Sequence, residues 1–168
     1  MKKRILSAIC TMGIMFSVFS SSVVNTNAMQ IDNSPIQIDG SYLTNNDTAS
    51  ATTKSEMTRG IHLMDGDCSI TKAGKGRIYV YASTTANHTV DYVSTVIYVD
   101  QYNEETEKWD QIDFWQVEDE DTYYVATSKT MKVDSGYYYR VHADHVAGMK
   151  DTIPYDRANT ATDGIFVN

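Results

Sequence analysis

Tyr92-Val93-Ser94-Thr95-Val96-Ile97-Tyr98-Val99-Asp100-Gln101-Tyr102 is the stretch that decides the fold. It is β-branched and aromatic almost throughout, and those side chains suit a pleated surface. Successive side chains of a strand point to opposite faces. Val93, Thr95, Ile97 and Val99 therefore share one face, while Val96, Tyr98, Asp100 and Tyr102 share the other. The first row reads as a core face and the second as an outward face.

The same period of two extends in both directions. Upstream, Arg77-Ile78-Tyr79-Val80-Tyr81-Ala82 places Ile78, Val80 and Ala82 together. Downstream, the polar connection 103–108 leads to a second run, Trp109 to Val117. Further runs cover 122–133, 137–146 and 164–167, and a shorter one covers 68–72. Nothing in this half has the i, i+3, i+4 spacing of an amphipathic helix. About seven strands with turn signals between them predict an all-β domain over 59–168. The expected architecture is an antiparallel two-sheet sandwich of immunoglobulin or fibronectin type. One local pattern supports it. Val133-Asp134-Ser135-Gly136 makes a turn before Tyr137-Tyr138-Tyr139-Arg140-Val141. Tyr139 is placed as a corner tyrosine, its ring buried and its hydroxyl bonded to nearby backbone.

The start of the chain predicts an address. Met1-Lys2-Lys3-Arg4 is basic, Ile5 to Phe19 carries no charge, and Thr26-Asn27-Ala28 supplies small residues at a cleavage position. This is the pattern of a secretory signal peptide over 1–28. Its apolar run is shorter than the roughly 20 residues needed to span a bilayer. The expected mature chain is extracellular, released and monomeric. Residues 29–58, rich in Ser, Thr, Asn, Asp and Gln, read as a polar leader without fixed structure. Within it, Asp39-Gly40-Ser41-Tyr42-Leu43 carries a turn signal and two anchors.

Three of the 14 basic residues and none of the 22 acidic ones fall within 1–28, which leaves a net charge of −11 beyond it. That balance argues against nucleic acid and anionic membrane surfaces as partners. Cys68 is the only cysteine after residue 28, so an intramolecular disulfide is not available to the mature chain. A free cysteine is most often a small buried hydrophobe. Asp65 and Asp67 beside it raise rather than lower a thiol pKa.

The stretch from about Asp39 to Asn168 resembles an uncharacterised family of small secreted proteins from Gram-positive gut bacteria, a domain of unknown function. The resemblance rests on Asp39-Gly40-Ser41-Tyr42-Leu43, Ser83-Thr84-Thr85-Ala86-Asn87, Thr127-Ser128-Lys129, Gly136-Tyr137-Tyr138-Tyr139-Arg140-Val141 and Asp163-Gly164-Ile165. It implies export and a single domain. It implies no site.

Motifs with chemistry are few. His142-Ala143-Asp144-His145 has the residue types of a metal site, but His142 and His145 lie on opposite faces of one strand. Zinc needs three or four convergent ligands, so no metal site and no cofactor are expected. Glu118-Asp119-Glu120-Asp121 lacks the spaced carboxylates of a calcium loop and reads as solvated. There is neither a nucleophile elbow nor a metalloprotease helix motif. The long connection 148–163, with Pro154, Tyr155 and Arg157, has the length of a binding loop.

Tyrosine supplies 12 of the aromatic residues, against 2 Trp and 4 Phe, which directs attention to where the tyrosines face. If 92–102 and 137–146 are sheet neighbours, Tyr98, Tyr102, Tyr138, Arg140 and His142 all point outward. Aromatic rings beside Arg and His suit a contact surface. The expected binding residues are Tyr98, Tyr138, Arg140 and His142. The expected function is non-catalytic binding of a protein or glycan outside the cell. A secreted toxin or inhibitor, or a small hydrolase, is the alternative.

Overall fold

The computed structural model describes residues 35–53 and 60–168. The signal peptide expected over 1–28, and the leader segments 29–34 and 54–58, lie outside the described residues. Those described are all-β. In chain order the strands are β1 Gln37–Ile38, β2 Ser41–Thr44, β3 Thr48–Thr52, β4 Leu63–Lys72, β5 Arg77–Val90 and β6 Tyr92–Asn103. They continue with β7 Lys108–Asp119, β8 Thr122–Lys132, β9 Tyr137–Gly148, β10 Asp156–Ala161 and β11 Gly164–Val167.

Two sheets result. One has the order β3-β4-β5-β8, and the other β1-β2-β11-β9-β6-β7. β10 and β11 share one edge of β9: β10 pairs with His142–Ala147, and β11 with Tyr137–Tyr139. Every pairing is antiparallel except the short one between β2 and β11. The seven expected strands correspond to β4 to β9 and β11. Their first, second and fifth members share one sheet; their third, fourth, sixth and last share the other. The two sheets make a sandwich-like all-β fold, with eleven strands among the described residues where about seven were expected.

The core lies between the sheets. Cys68 and Ile70, Ile78, Val80 and Ala82, Ile97 and Val99, Val141 and Ala143, and Ile165 and Val167 pack into one apolar cluster. Leu63, Ala86, Val90, Val93, Val125 and Ala147 form a second. Each fully buried Val or Ile side chain contributes about 1.5–3 kcal/mol, so these rows hold the domain without a cross-link. Tyr139 is 1% exposed and donates its hydroxyl to the carbonyl of Asp134 at 2.8 Å. The corner tyrosine is thus in place, five residues from its acceptor.

Two expectations fail here. The described part of the leader is not loose: residues 37–52 contribute β1, β2 and β3. These strands take their order from partners rather than from their own apolar content. β3 pairs along β4 and packs Ala49 and Ala51 on the core, while β2 runs beside β11. Likewise, the connection 148–163 is not one open loop, because β10 adds six residues of pairing to β9.

Candidate functional site

The outer face of the seven-stranded sheet presents its side chains in cross-strand rows. β6 pairs with β9 in the register Tyr98↔His142, Val96↔Asp144 and Asp100↔Arg140. β7 adds Phe114 opposite Tyr98 and Gln116 opposite Val96. β10 adds Asn159 opposite Asp144 and Arg157 opposite Val146. Phe114, Tyr98 and His142 thus form one row, and Gln116, Val96, Asp144 and Asn159 the next.

The rings of the first row are stacked. Tyr98 and His142 have centroids 4.5 Å apart at 9°, and Tyr98 and Phe114 6.2 Å apart at 19°. Phe114 stands at the outer end, 61% exposed. On the far side of the polar row, Tyr92 stacks on Tyr155 at 5.5 Å. Low side chains lie between these two aromatic groups, so the surface dips into a trench. Two adjoining depressions, of about 670 and 610 Å³, share Asp144 and Asn159 along it. The first is lined by Tyr92, Ser94, Val96, Gln116, Tyr155 and Arg157 beside those two. The second runs on past His142 to Trp109 and Gln111.

The polar groups of the trench are unevenly engaged. Gln116 Nε2 donates to Glu118 Oε2 at 2.8 Å and to the Tyr92 hydroxyl at 3.2 Å, and that hydroxyl donates to Glu118 at 2.8 Å. Burial, followed by the Glu118 carboxylate, pushes the Tyr92 phenol above its ordinary pKa. Asp144 is exposed and, among the described residues, receives only a long bond from the Tyr98 hydroxyl, 3.4 Å. Among the described residues, neither Asp144 nor Arg157 takes part in an ion pair.

At one end of the trench sits a buried charge cluster. Asp100 Oδ2 accepts from Arg140 Nε at 2.9 Å and from His142 Nδ1 at 3.1 Å. Burial alone would raise the Asp100 pKa, but the bonds from His142 and Arg140 outweigh it and hold the carboxyl below its ordinary value. The remaining Arg140 nitrogens donate to the Asp39 carbonyl, the Ser41 hydroxyl and the Asp39 carboxylate, at 3.0–3.1 Å. The guanidinium also lies 4.7 Å from the Trp109 ring centroid. Asp39 and Gly40, both at positive φ (49° and 80°), make the two-residue turn between β1 and β2. Two successive left-handed residues are what such a hairpin turn requires, and Asp-Gly supplies them.

The expected binding residues therefore separate. Tyr98 and His142 come together as a stack, of which His142 lines the second depression and Tyr98 stands beside it. Arg140 does not act as an exposed contact: it is 6% exposed, and its N–H groups are spent on Asp100, Asp39 and Ser41. The β1–β2 turn folds over it. Tyr138 lies two rows away, half-buried and packed on Phe166 at 5.1 Å. Tyr102, also expected outward, is covered on that face by Trp109. The residues not anticipated are Tyr92, Phe114, Gln116, Asp144 and Asn159. Tyr155 and Arg157 belonged to the long connection named above, and pairing of β10 with β9 brings them to the same face as Tyr98.

His145 faces the opposite way, fully buried between the sheets. Its Nδ1 bonds the Thr84 hydroxyl and its Nε2 the Thr160 hydroxyl, both at 2.9 Å. Thr84 donates in turn to the Ser94 carbonyl at 3.0 Å and also contacts the Thr95 hydroxyl. Burial pushes the imidazole pKa down to about 4, against the opposing pull of Asp67, Asp144 and Asp65. A Cβ at residue 66 would overlap this ring, so only glycine fits opposite it. Among the described residues, no group of three or more His, Cys, Asp or Glu could hold a metal ion.

No family model matches this chain, and no curated protein matches it in sequence.

Proposed function

We propose that the chain is a secreted, non-catalytic binding module that holds an extracellular protein or glycan in the trench on the outer face of its seven-stranded sheet. The trench carries this reading. It consists of two adjoining depressions, bordered by stacked rings and lined by polar groups that are incompletely satisfied among the described residues. Concave sites that pair aromatic walls with a few placed polar groups are the usual form of a ligand site. Export rests on the pattern of residues 1–28.

The Asp100–His142 bond is the observation nearest to a hydrolase. It orients an imidazole beside a cleft, as a general base requires. Two features favour binding instead. Arg140 shares the Asp100 carboxylate, which weakens its pull on the imidazole. No described hydroxyl or thiol is bonded to His142 Nε2 to serve as a nucleophile.

The test is an immobilised panel of extracellular glycans and proteins probed with the chain from residue 29 onward and with a Tyr98→Ala, Asp144→Ala double variant. Binding to at least one panel member, lost in the folded double variant, is the expected result. Undiminished binding by that variant, or turnover of a panel member, would overturn the reading.

A further inference from the structure

The trench is asymmetric in its hydrogen-bonding chemistry. Acceptors crowd its exposed surface. Asp144 offers a carboxylate whose only partner among the described residues is the Tyr98 hydroxyl at 3.4 Å. Asn159 offers an exposed side-chain amide for which no hydrogen bond is made within the described residues. His142 gives Nδ1 to Asp100; since an ionised carboxylate only accepts, Nδ1 carries the proton and Nε2 is the ring nitrogen that this bond leaves unengaged. Glu118 closes the β7 side, already bonded to Gln116 and Tyr92. Arg157 is the single cation lining either depression apart from the saturated Arg140.

Each class of ligand meets these groups differently. A phosphate, sulfate or uronic acid would bring an anion against Asp144 and Glu118, and like charges at contact distance cost several kcal/mol. An extended peptide satisfies its backbone best along a strand edge, whereas this trench lies across the strands on a sheet face whose backbone groups are already paired. A polyhydroxylated neutral chain meets neither obstacle. Carboxylates and amides each present two polar positions in one plane, a match for two adjacent hydroxyls. Ring edges and faces on both walls cover the apolar C–H surfaces between those hydroxyls.

We infer that the ligand of the trench is a neutral glycan chain, with Asp144, Asn159 and Gln116 bonding its hydroxyls and Phe114, Tyr98 and Tyr155 packing against its rings. This rests on the binding-module reading above and narrows its ligand. Asp144 is the anchor, because its carboxylate is a charged acceptor engaged by a single long bond among the described residues. Arg157, exposed at the end of the row, can donate to hydroxyl oxygens and, as a single cation beside Asp144, does not convert the site to an anion trap.

The test is affinity electrophoresis of the chain from residue 29 onward in native gels. The gels contain mixed-linkage β-glucan, xylan, galactomannan or soluble starch as neutral probes, and polygalacturonate or heparin as acidic ones. A random dodecapeptide display library provides a peptide probe. Retardation by at least one neutral polymer and by neither acidic one is the expected pattern. Asp144→Ala and Phe114→Ala should each weaken it about tenfold or more, as loss of a central contact does. Tyr138→Ala, two rows away, should leave it unchanged. Thermal unfolding of each variant verifies the fold. Selection of peptides that require Asp144 and Phe114, with no neutral polymer retarding the chain, would overturn the glycan and leave the binding module standing. Retardation only by acidic polymers would overturn the inference. Retardation that ignores both variants would overturn the trench as well, and absence of binding to every probe would count against both readings.

Discussion

Arg140 and Asp100 face each other across β9 and β6 with a 2.9 Å bond between Nε and Oδ2, and both side chains are almost fully buried. Asp39, the second acid on this guanidinium, is largely exposed, and exposed pairs add little. The inner pair therefore governs. Arg140→Met should destabilise the domain by about 3 kcal/mol, because it leaves the buried Asp100 carboxylate with His142 as its one remaining described side-chain partner. Arg140→Lys should recover only part of this, since a lysine cannot span Asp100, Ser41 and Asp39 together. Denaturant unfolding at pH 7 measures both. The depressed Asp100 pKa fixes the direction with acid. Its contribution is fully present above the ordinary Asp value of about 4 and is lost as the pH falls below it through the folded-state value.

Tyr139 and Tyr138 are adjacent in sequence and opposite in environment. Tyr139→Phe removes a buried bond to the Asp134 carbonyl and should cost about 1 kcal/mol. Tyr138→Phe should be near neutral, because its hydroxyl makes no hydrogen bond among the described residues and its ring contact with Phe166 survives. Equal effects in urea unfolding would mean that the corner bond contributes nothing.

His145 makes stability depend on pH in a separate window. Folded, the imidazole titrates at about 4; unfolded, it returns to about 6.5. The unfolded chain binds the proton more readily, so protonation favours unfolding. Stability should be at its plateau above pH 6.5 and fall as the pH drops towards 4, by up to about 3 kcal/mol from this group. His145→Gln keeps polar atoms near Thr84 and Thr160 but has nothing to titrate. Its stability should therefore vary less over this window. Parallel pH profiles for the two proteins would refute the assignment.

How much of this could be read from the chain differs by element, for physical reasons. The faces of β6 were legible because period two holds unbroken from Val93 to Val99, all of whose odd members are buried. Tyr139 was legible because a corner tyrosine depends on a local turn five residues away. β10 was not: Asp156-Arg157-Ala158-Asn159-Thr160-Ala161 contains one β-branched residue, and its order comes from β9. With β10 hidden, Asn159 and Arg157 could not be assigned to the same face as Tyr98. The burial of Arg140 was out of reach for a different reason. A strand's alternation gives the side a residue faces, not what covers that side, and its cover is a turn 101 residues earlier. Trp109 shows the same limit. A bulge between Val99 and Asp100 shifts the register with β7 and sets Trp109 opposite Tyr102.

Cys68 gives a prediction of reactivity. It is 1% exposed, and burial, with a contribution from Asp67, pushes its thiol up to about 11. The thiolate is the reactive form, so the native protein should resist iodoacetamide at pH 8. Labelling should appear in step with unfolding as urea is raised. Fast labelling without denaturant would place the thiol at the surface.

Gly66 and His145 make the sharpest test of the core. A methyl group at 66 would overlap the imidazole, which has a threonine bonded to each nitrogen and no room to retreat. Gly66→Ala should cost about 1–3 kcal/mol as an overpacked core. His145→Ala should cost a comparable amount for a different reason, because it opens a cavity and strands Thr84 and Thr160. If the two changes act on the same space, they cannot add. The added methyl occupies part of the volume the ring vacates, so the double variant should be more stable than the sum of the single losses by about 1 kcal/mol or more, within the range for residues in contact. Denaturant unfolding of the four proteins completes the cycle. Strict additivity would mean that the backbone of β4 does not lie against the His145 ring.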